Sequence, residues 1–166
     1  MKDLWIAISL VFTLAAHAAA QQVVFVARHA ERADAGTTSG SMMGTDPDLS
    51  ETGRARADAL AAMLKDANIT AIFTTEFKRT QATAAPLAKV LGITPTVIGS
   101  REHAKLVAAI KAASGNVLVV GHSNTVPAII KDLGVEAAVT VGDSEYDNLF
   151  VVTAGSLPAV LRLHYR

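Results

Sequence analysis

The sequence predicts an α/β domain, a three-layer αβα sandwich built on a mostly parallel central sheet. Two observations carry most of that prediction. Short, wholly apolar runs such as Val23-Val24-Phe25-Val26 and Val117-Leu118-Val119-Val120 read as strands buried on both faces. Helix-length segments with one apolar face separate such runs, which is the alternation that builds a parallel sheet covered on both sides. A third observation bears on function: histidines and arginines cluster just past the ends of the apolar runs, where open α/β sheets bind ligands.

Taken in order, the first twenty residues read as a secretory signal peptide. Lys2 precedes an apolar stretch from Leu4 to Ala16, and Ala18-Ala19-Ala20 supplies the small-residue end. The stretch falls short of the ~20 residues a membrane span needs. Export to the periplasm or medium is therefore expected, with residues 21–166 as one domain and no membrane contact after cleavage. The chain has no cysteine, so no disulfide is available and the core must supply stability. Fifteen Lys and Arg balance fifteen Asp and Glu, which leaves no diffuse basic face for nucleic acid or anionic lipid. Nothing in the sequence specifies an oligomeric state.

After the first strand, residues 33–48 form a long loop rich in Gly, Ser and Thr. Ser50 reads as an N-cap with Glu51 in the first turn, and the helix is expected to run to about Ala67. Ile69 to Thr75 reads as a second strand, followed by a helix that opens near Lys78-Arg79 and ends by Gly92. Pro86 lies inside that helix and is expected to kink or restart it. A short strand at 96–98 and a helix over about 102–113 come next. The strand at 116–120 runs into Gly121-His122-Ser123, and a helix begins near Val126 with Pro127 in its first turn. Residues 148–153 and 159–165 read as two last strands joined by a turn at Gly155-Ser156.

Three strand ends thus present Arg28, His29 and Arg32; Arg79; and His122. No Gly-x-Ser-x-Gly elbow, phosphate loop or dinucleotide fingerprint is present. The arginines suit one tetrahedral dianion, because guanidinium offers forked donors to paired oxygens. Two histidines beside that group have the chemistry of a nucleophile and of a donor to a transferring phosphoryl.

These residues resemble the histidine phosphatase superfamily, the phosphoglycerate mutase-like fold. Arg28-His29 resembles its Arg-His-Gly signature, with Ala30 in place of the glycine. Asp48-Leu49-Ser50-Glu51-Thr52-Gly53 resembles its helix start, Arg79-Thr80-Gln81-Ala82-Thr83-Ala84 its second segment, and Gly121-His122-Ser123 its second-histidine motif. The length is similar to that of small, cap-less members such as protein phosphohistidine phosphatases. The resemblance implies a histidine acid phosphatase-type phosphohydrolase acting through a phosphohistidine on His29. Arg28, Arg32, Arg79 and His122 would form the phosphate pocket, with no metal or other cofactor. A phosphorylated small molecule or a phosphoprotein would be the substrate.

A general acid is harder to assign. Glu31, Glu102, Asp143, Glu145 and Asp147 are candidates, with Asp147 preferred because it stands at a strand start. Two other readings compete. A phosphate-binding protein without catalysis would need the arginines but not His29. A metal-dependent hydrolase could use His29, Glu31 and His122, although the flanking arginines would oppose a cation.

Overall fold

The computed structural model describes residues 21–34, 46–155 and 157–165. The expected signal peptide lies outside the described residues, as do 35–45 of the long loop and Ser156 of the last turn. In chain order the elements are β1 (Val23–Arg28), α1 (Glu51–Leu64), β2 (Ile69–Thr74), α2 (Lys78–Leu91), β3 (Thr96–Val97), α3 (His103–Ala112), β4 (Asn116–Gly121), α4 (Thr125–Asp132), β5 (Asn148–Thr153) and β6 (Ala159–His164).

They form one sheet in the order β3-β2-β4-β1-β5-β6. β3, β2, β4 and β1 run parallel, while β5 and β6 add an antiparallel edge. Strand side chains alternate between faces, so each apolar run feeds two cores. Val24, Val26, Val117 and Val119 pack with Ile110, Val126, Ile129 and Ile130 of α3 and α4. Ala27, Ile72, Leu118 and Val120 pack with Leu60, Leu64, Ala84 and Leu87 of α1 and α2 on the other face. The expected sandwich is what the chain forms.

Two local expectations are corrected. Pro86 does not restart its helix: α2 is continuous from Lys78 to Leu91 with the proline inside. A mid-helix proline forfeits one backbone hydrogen bond and costs about 3 kcal/mol. Buried Ala84, Leu87 and Ala88 hold the flanking turns against the sheet and offset that cost. The first helix also stops short, at Leu64 rather than Ala67. Asn68, at φ 52°, then turns the chain in the left-handed region into β2.

The segment before α1 builds the floor under the loop that follows β1. The hydroxyl of Ser50 accepts from Gly53 N at 3.0 Å, which caps α1 as expected. Ser50 N donates to the Glu31 carbonyl at 2.9 Å and Ala33 N to the Asp48 carbonyl at 2.9 Å, with Arg32 and Leu49 forming an antiparallel bridge. A Cβ on Gly53 would collide with the Glu31 carbonyl. Gly53→Ala should therefore force the two backbones apart and lower stability by ~1–3 kcal/mol, as read from the urea midpoint. An unchanged midpoint would mean that the contact is not maintained in solution.

Candidate active site

The pairing of β1 with β4 brings the two histidines together. Arg28 stands opposite Gly121 in the parallel register, and His29 N donates to the Gly121 carbonyl at 2.9 Å. His29 and His122 follow the two strand ends directly, with ring centroids 5.3 Å apart. β2 lies on the other side of β4 and ends in Thr74-Thr75, which places the start of α2 and Arg79 on the same rim. This is the crevice beyond the strand carboxyl ends where the chain order reverses.

Arg28, His29, Arg32, Arg79 and His122 line one cleft of about 450 Å³. Phe77, Ser100, Arg101, Ser123, Asn124, Thr125 and Asp143 complete its wall. Arg101 adds a fourth cation that the sequence reading missed, since it sits in a turn after β3 with no motif around it.

Each cation is held differently. Arg28 Nη1 donates to the carbonyls of Gly142, Asp143 and Glu145 at 2.8, 2.9 and 3.3 Å, and the guanidinium lies 4.0 Å from the Tyr146 ring centre. Arg79 lies 4.2 Å from the Phe77 ring and 3.5 Å from the Asp46 carboxylate. The Nε atoms of both arginines are buried and without a hydrogen-bond partner among the described residues. Buried donors left unpaired are costly, so the pocket is built with unmet demand for an acceptor. Arg32 also borders the cleft, but its fork is engaged by Asp34 at 2.7 and 2.9 Å.

His29 is 4% exposed. Its Nδ1 lies 2.8 Å from the Ala30 carbonyl, which only accepts, so Nδ1 carries the proton and Nε2 keeps the lone pair. Burial pushes the ring down to about pKa 3 against the pull of the Ala30 carbonyl, with the charges at His122, Arg28 and Arg79 adding to the drop. Burial also lowers His122, to about 4, with Arg79 the next cause and Glu76 opposing. Burial and Arg32 likewise push Arg79 below its ordinary value. Burial is the main cause in all three, and neighbouring cations add to it.

The same shifts set a pH dependence of stability. Both histidines bind protons less readily folded than unfolded, where their value is near 6.5. The unfolded state therefore gains protons first as pH falls, and stability present above pH ~6.5 is lost on the way to pH ~4. His122 alone contributes on the order of 3 kcal/mol to that loss. Urea midpoints at pH 7 and 4.5 check it, since the slope should flatten in a His29→Gln/His122→Gln double variant.

The expectation for Asp147 is corrected. It does not line the cleft: its carboxylate pairs with His164 Nδ1 at 3.1 Å on the β6 side, and that partner helps hold it below the usual carboxylate range against burial. A group held ionised in that way is a poor proton donor. Glu31 is also turned away, gripped by Arg56 at 2.6, 2.8 and 2.9 Å, which dismantles the trio His29, Glu31 and His122 as a ligand set. Glu102 is exposed, bonded to Gly99 N and Lys105, and Glu145 to Gly142 N and Arg162. Of the five candidates, Asp143 alone lines the cleft.

Three buried threonines went unrecognised in the sequence. Thr83 Oγ1 accepts from Ala30 N at 2.9 Å and donates to the Arg79 carbonyl at 2.7 Å, which ties the loop that carries His29 to α2. Thr75 and Thr80 stand behind His122, with Thr75 Oγ1 3.1 Å from its Nε2. The recurrence of threonine through Thr75, Thr80 and Thr83 around Arg79 is the signal that was available.

Comparison with known proteins agrees with this geometry. Residues 24–102, from β1 to the turn before α3, match the model of the histidine phosphatase superfamily (branch 1). Over that segment the chain is similar to the histidine phosphatase superfamily. The segment contains His29, Arg32 and Arg79, while His122 lies beyond it. No curated protein matches the sequence. Among solved structures, the protein histidine phosphatase SixA complexed with tungstate is similar, at TM-score 0.64 and 18% identity over 86% of this chain and 96% of that one. The mycobacterial glucosyl-3-phosphoglycerate phosphatase Rv2419c complexed with VO3 gives TM-score 0.65 and 14% identity over 86% and 98%. The Rv3214 product of Mycobacterium tuberculosis gives 0.63 and 17% over 86% and 97%. These likenesses show that the chain shares its fold with histidine phosphatases.

Proposed function

We propose that this chain hydrolyses phosphomonoesters or phosphoramidates through a phosphohistidine on Nε2 of His29, without a metal. One observation carries the reading: a neutral imidazole whose Nδ1 is occupied by the Ala30 carbonyl leaves Nε2 as the free lone pair in an arginine-lined cleft. Guanidinium groups match the oxygens of a tetrahedral anion and stabilise them as the phosphoryl transfers, which is most of what this chemistry asks of a protein. The similar folds that hold tungstate and VO3 support an oxyanion in this cleft.

In the first step Nε2 attacks phosphorus and the leaving group departs with the bonding pair. In the second, water attacks phosphorus, the P–N bond breaks with its electron pair returning to Nε2, and inorganic phosphate leaves. A nucleophile that stays neutral down to about pH 3 supports work in acid, as the acid phosphatase-type assignment requires. The cationic rim at Arg101 and the open wall at Asp143 suit a phosphorylated small molecule or a phosphoprotein. The signal-peptide pattern of residues 1–20 supports a place in the periplasm or medium.

Trapping tests the proposal. Protein mixed with a labelled aryl phosphate and quenched during turnover should retain label in alkali and lose it in acid. Label that survives acid would point to a seryl or threonyl ester. Phosphate binding with neither label nor product would leave a binding protein.

A further inference from the structure

Resting on that phosphatase reading, we propose that Thr75 and Thr80 pin His122 with its proton on Nε2, so that the cleft binds a phosphoryl dianion only together with a proton. Hydrogen-bond direction carries the argument. Thr80 Oγ1 lies 2.8 Å from the Phe77 carbonyl, 3.1 Å from the Thr75 carbonyl and 2.9 Å from Thr75 Oγ1. A hydroxyl has one proton and a carbonyl none, so Thr80 gives its proton to a carbonyl. Its contact with Thr75 Oγ1 then holds a proton only if Thr75 donates. Thr75 has spent its own proton on Thr80, and its remaining contact, His122 Nε2 at 3.1 Å, must be one in which the ring donates. Three of the four contacts then carry a proton, since Thr80 fills one of its two carbonyls, and every other arrangement fills fewer.

The ring nitrogen left for the cleft is Nδ1. Among the described residues no protein group bonds it, and it is not among the buried unpartnered atoms. In a neutral ring with Nε2–H, Nδ1 is an acceptor, and so is every terminal oxygen of a phosphomonoester or phosphonate dianion. Two acceptors repel unless a proton lies between them. The charged groups around His122 set where that proton is in the free protein: Arg28 and His29 at the end of β1, Glu76 in the turn after β2, Arg79 on α2 and Asp46 before α1. Burial and Arg79 hold the ring near pKa 4, so it is neutral at pH 7 and the proton arrives with the anion. Thr75 and Thr80 are thus positioning residues. They turn the second histidine into a cation exactly when a phosphoryl group is present, and they leave the resting cleft less charged.

Isothermal titration with methylphosphonate at pH 8.5, where its dianion carries no P–OH, in buffers of differing ionisation enthalpy, tests the proposal. Wild type should take up about one proton for each phosphonate bound. In Thr75→Val the ring is free to move its proton to Nδ1 and donate directly, so the phosphonate should still bind while uptake falls toward zero. Thr75→Ser should restore it. A merely structural threonine would change affinity and leave the proton count alone. Binding without uptake in wild type, or equal uptake in Thr75→Val, overturns the proposal but not the phosphatase reading. Failure of wild type to bind both methylphosphonate and inorganic phosphate removes both. Nitrogen-15 spectra of the wild-type His122 ring, identified by its loss in His122→Gln, need no threonine variant. A proton on Nδ1 of the neutral ring would also overturn the proposal.

Discussion

His29→Ala is expected to abolish turnover, by on the order of 10⁵-fold or to the assay floor, because it removes the Nε2 proposed to attack phosphorus while His122 is proposed to bind the phosphoryl oxygens. Phosphate should still bind within a few-fold, since the arginines that hold it stand on other contacts. Arg28 is anchored by the 142–145 carbonyls and Arg79 by Phe77 and Asp46. The two readouts together separate an enzyme from a binding protein. Steady-state assay and phosphate titration on the same folded preparation measure them, with circular dichroism confirming the fold. Turnover retained in the variant would end the phosphohistidine mechanism.

Arg79→Ala should weaken phosphate binding by roughly 10- to 100-fold. The group contributes buried, charge-assisted donors, each worth about 1.5–3 kcal/mol, and its Nε has no protein partner to compete for it. A second effect has the opposite sign. Arg79 lowers both His29 and His122 by its charge, so its removal should raise both rings toward their ordinary value. Proton NMR titration of the two rings reads that rise directly. Lys89→Ala, on the exposed outer face of the same helix, serves as the control and should leave phosphate affinity unchanged. Equal losses from the two substitutions would mean that the pocket lies elsewhere.

The strands and the cationic residues past their ends were legible because both are one-dimensional signals. A buried strand is a short apolar run, and a site at its end is a charge where the run stops. What the sequence concealed depends on direction. Asp147 and Tyr146 are neighbours at the entry to β5, where successive side chains face opposite ways. Tyr146 takes the cleft side, beneath Arg28 and 6.0 Å from His29, and sends Asp147 to His164. Position at a strand start therefore suggested the right neighbourhood and the wrong residue. Thr75, Thr80 and Thr83 were invisible for a related reason, since a threonine in a helix start carries no charge and acquires meaning only from which proton points where. Pro86 misled because local preference spoke for a break, while Leu87 and its neighbours are held by packing that no local window contains.

The position of β4 bears on how the molecule folds. β1 and β2 are consecutive in sequence yet never touch in the sheet, because β4 lies between them. The pairing of β1 with β4 joins residues about ninety positions apart, as the Val23 N to Asn116 Oδ1 hydrogen bond at a separation of 93 makes concrete. Such distant contacts are slow to form, because a long loop must close before any pairing rewards it. Until β4 inserts, both cores are open and each histidine is solvated with no partner. The step that completes the sheet is therefore also the step that buries His29. A chain caught partway would carry every residue of the site in sequence and none of it in space, so the recovery of activity on refolding should coincide with the slowest structural phase rather than precede it.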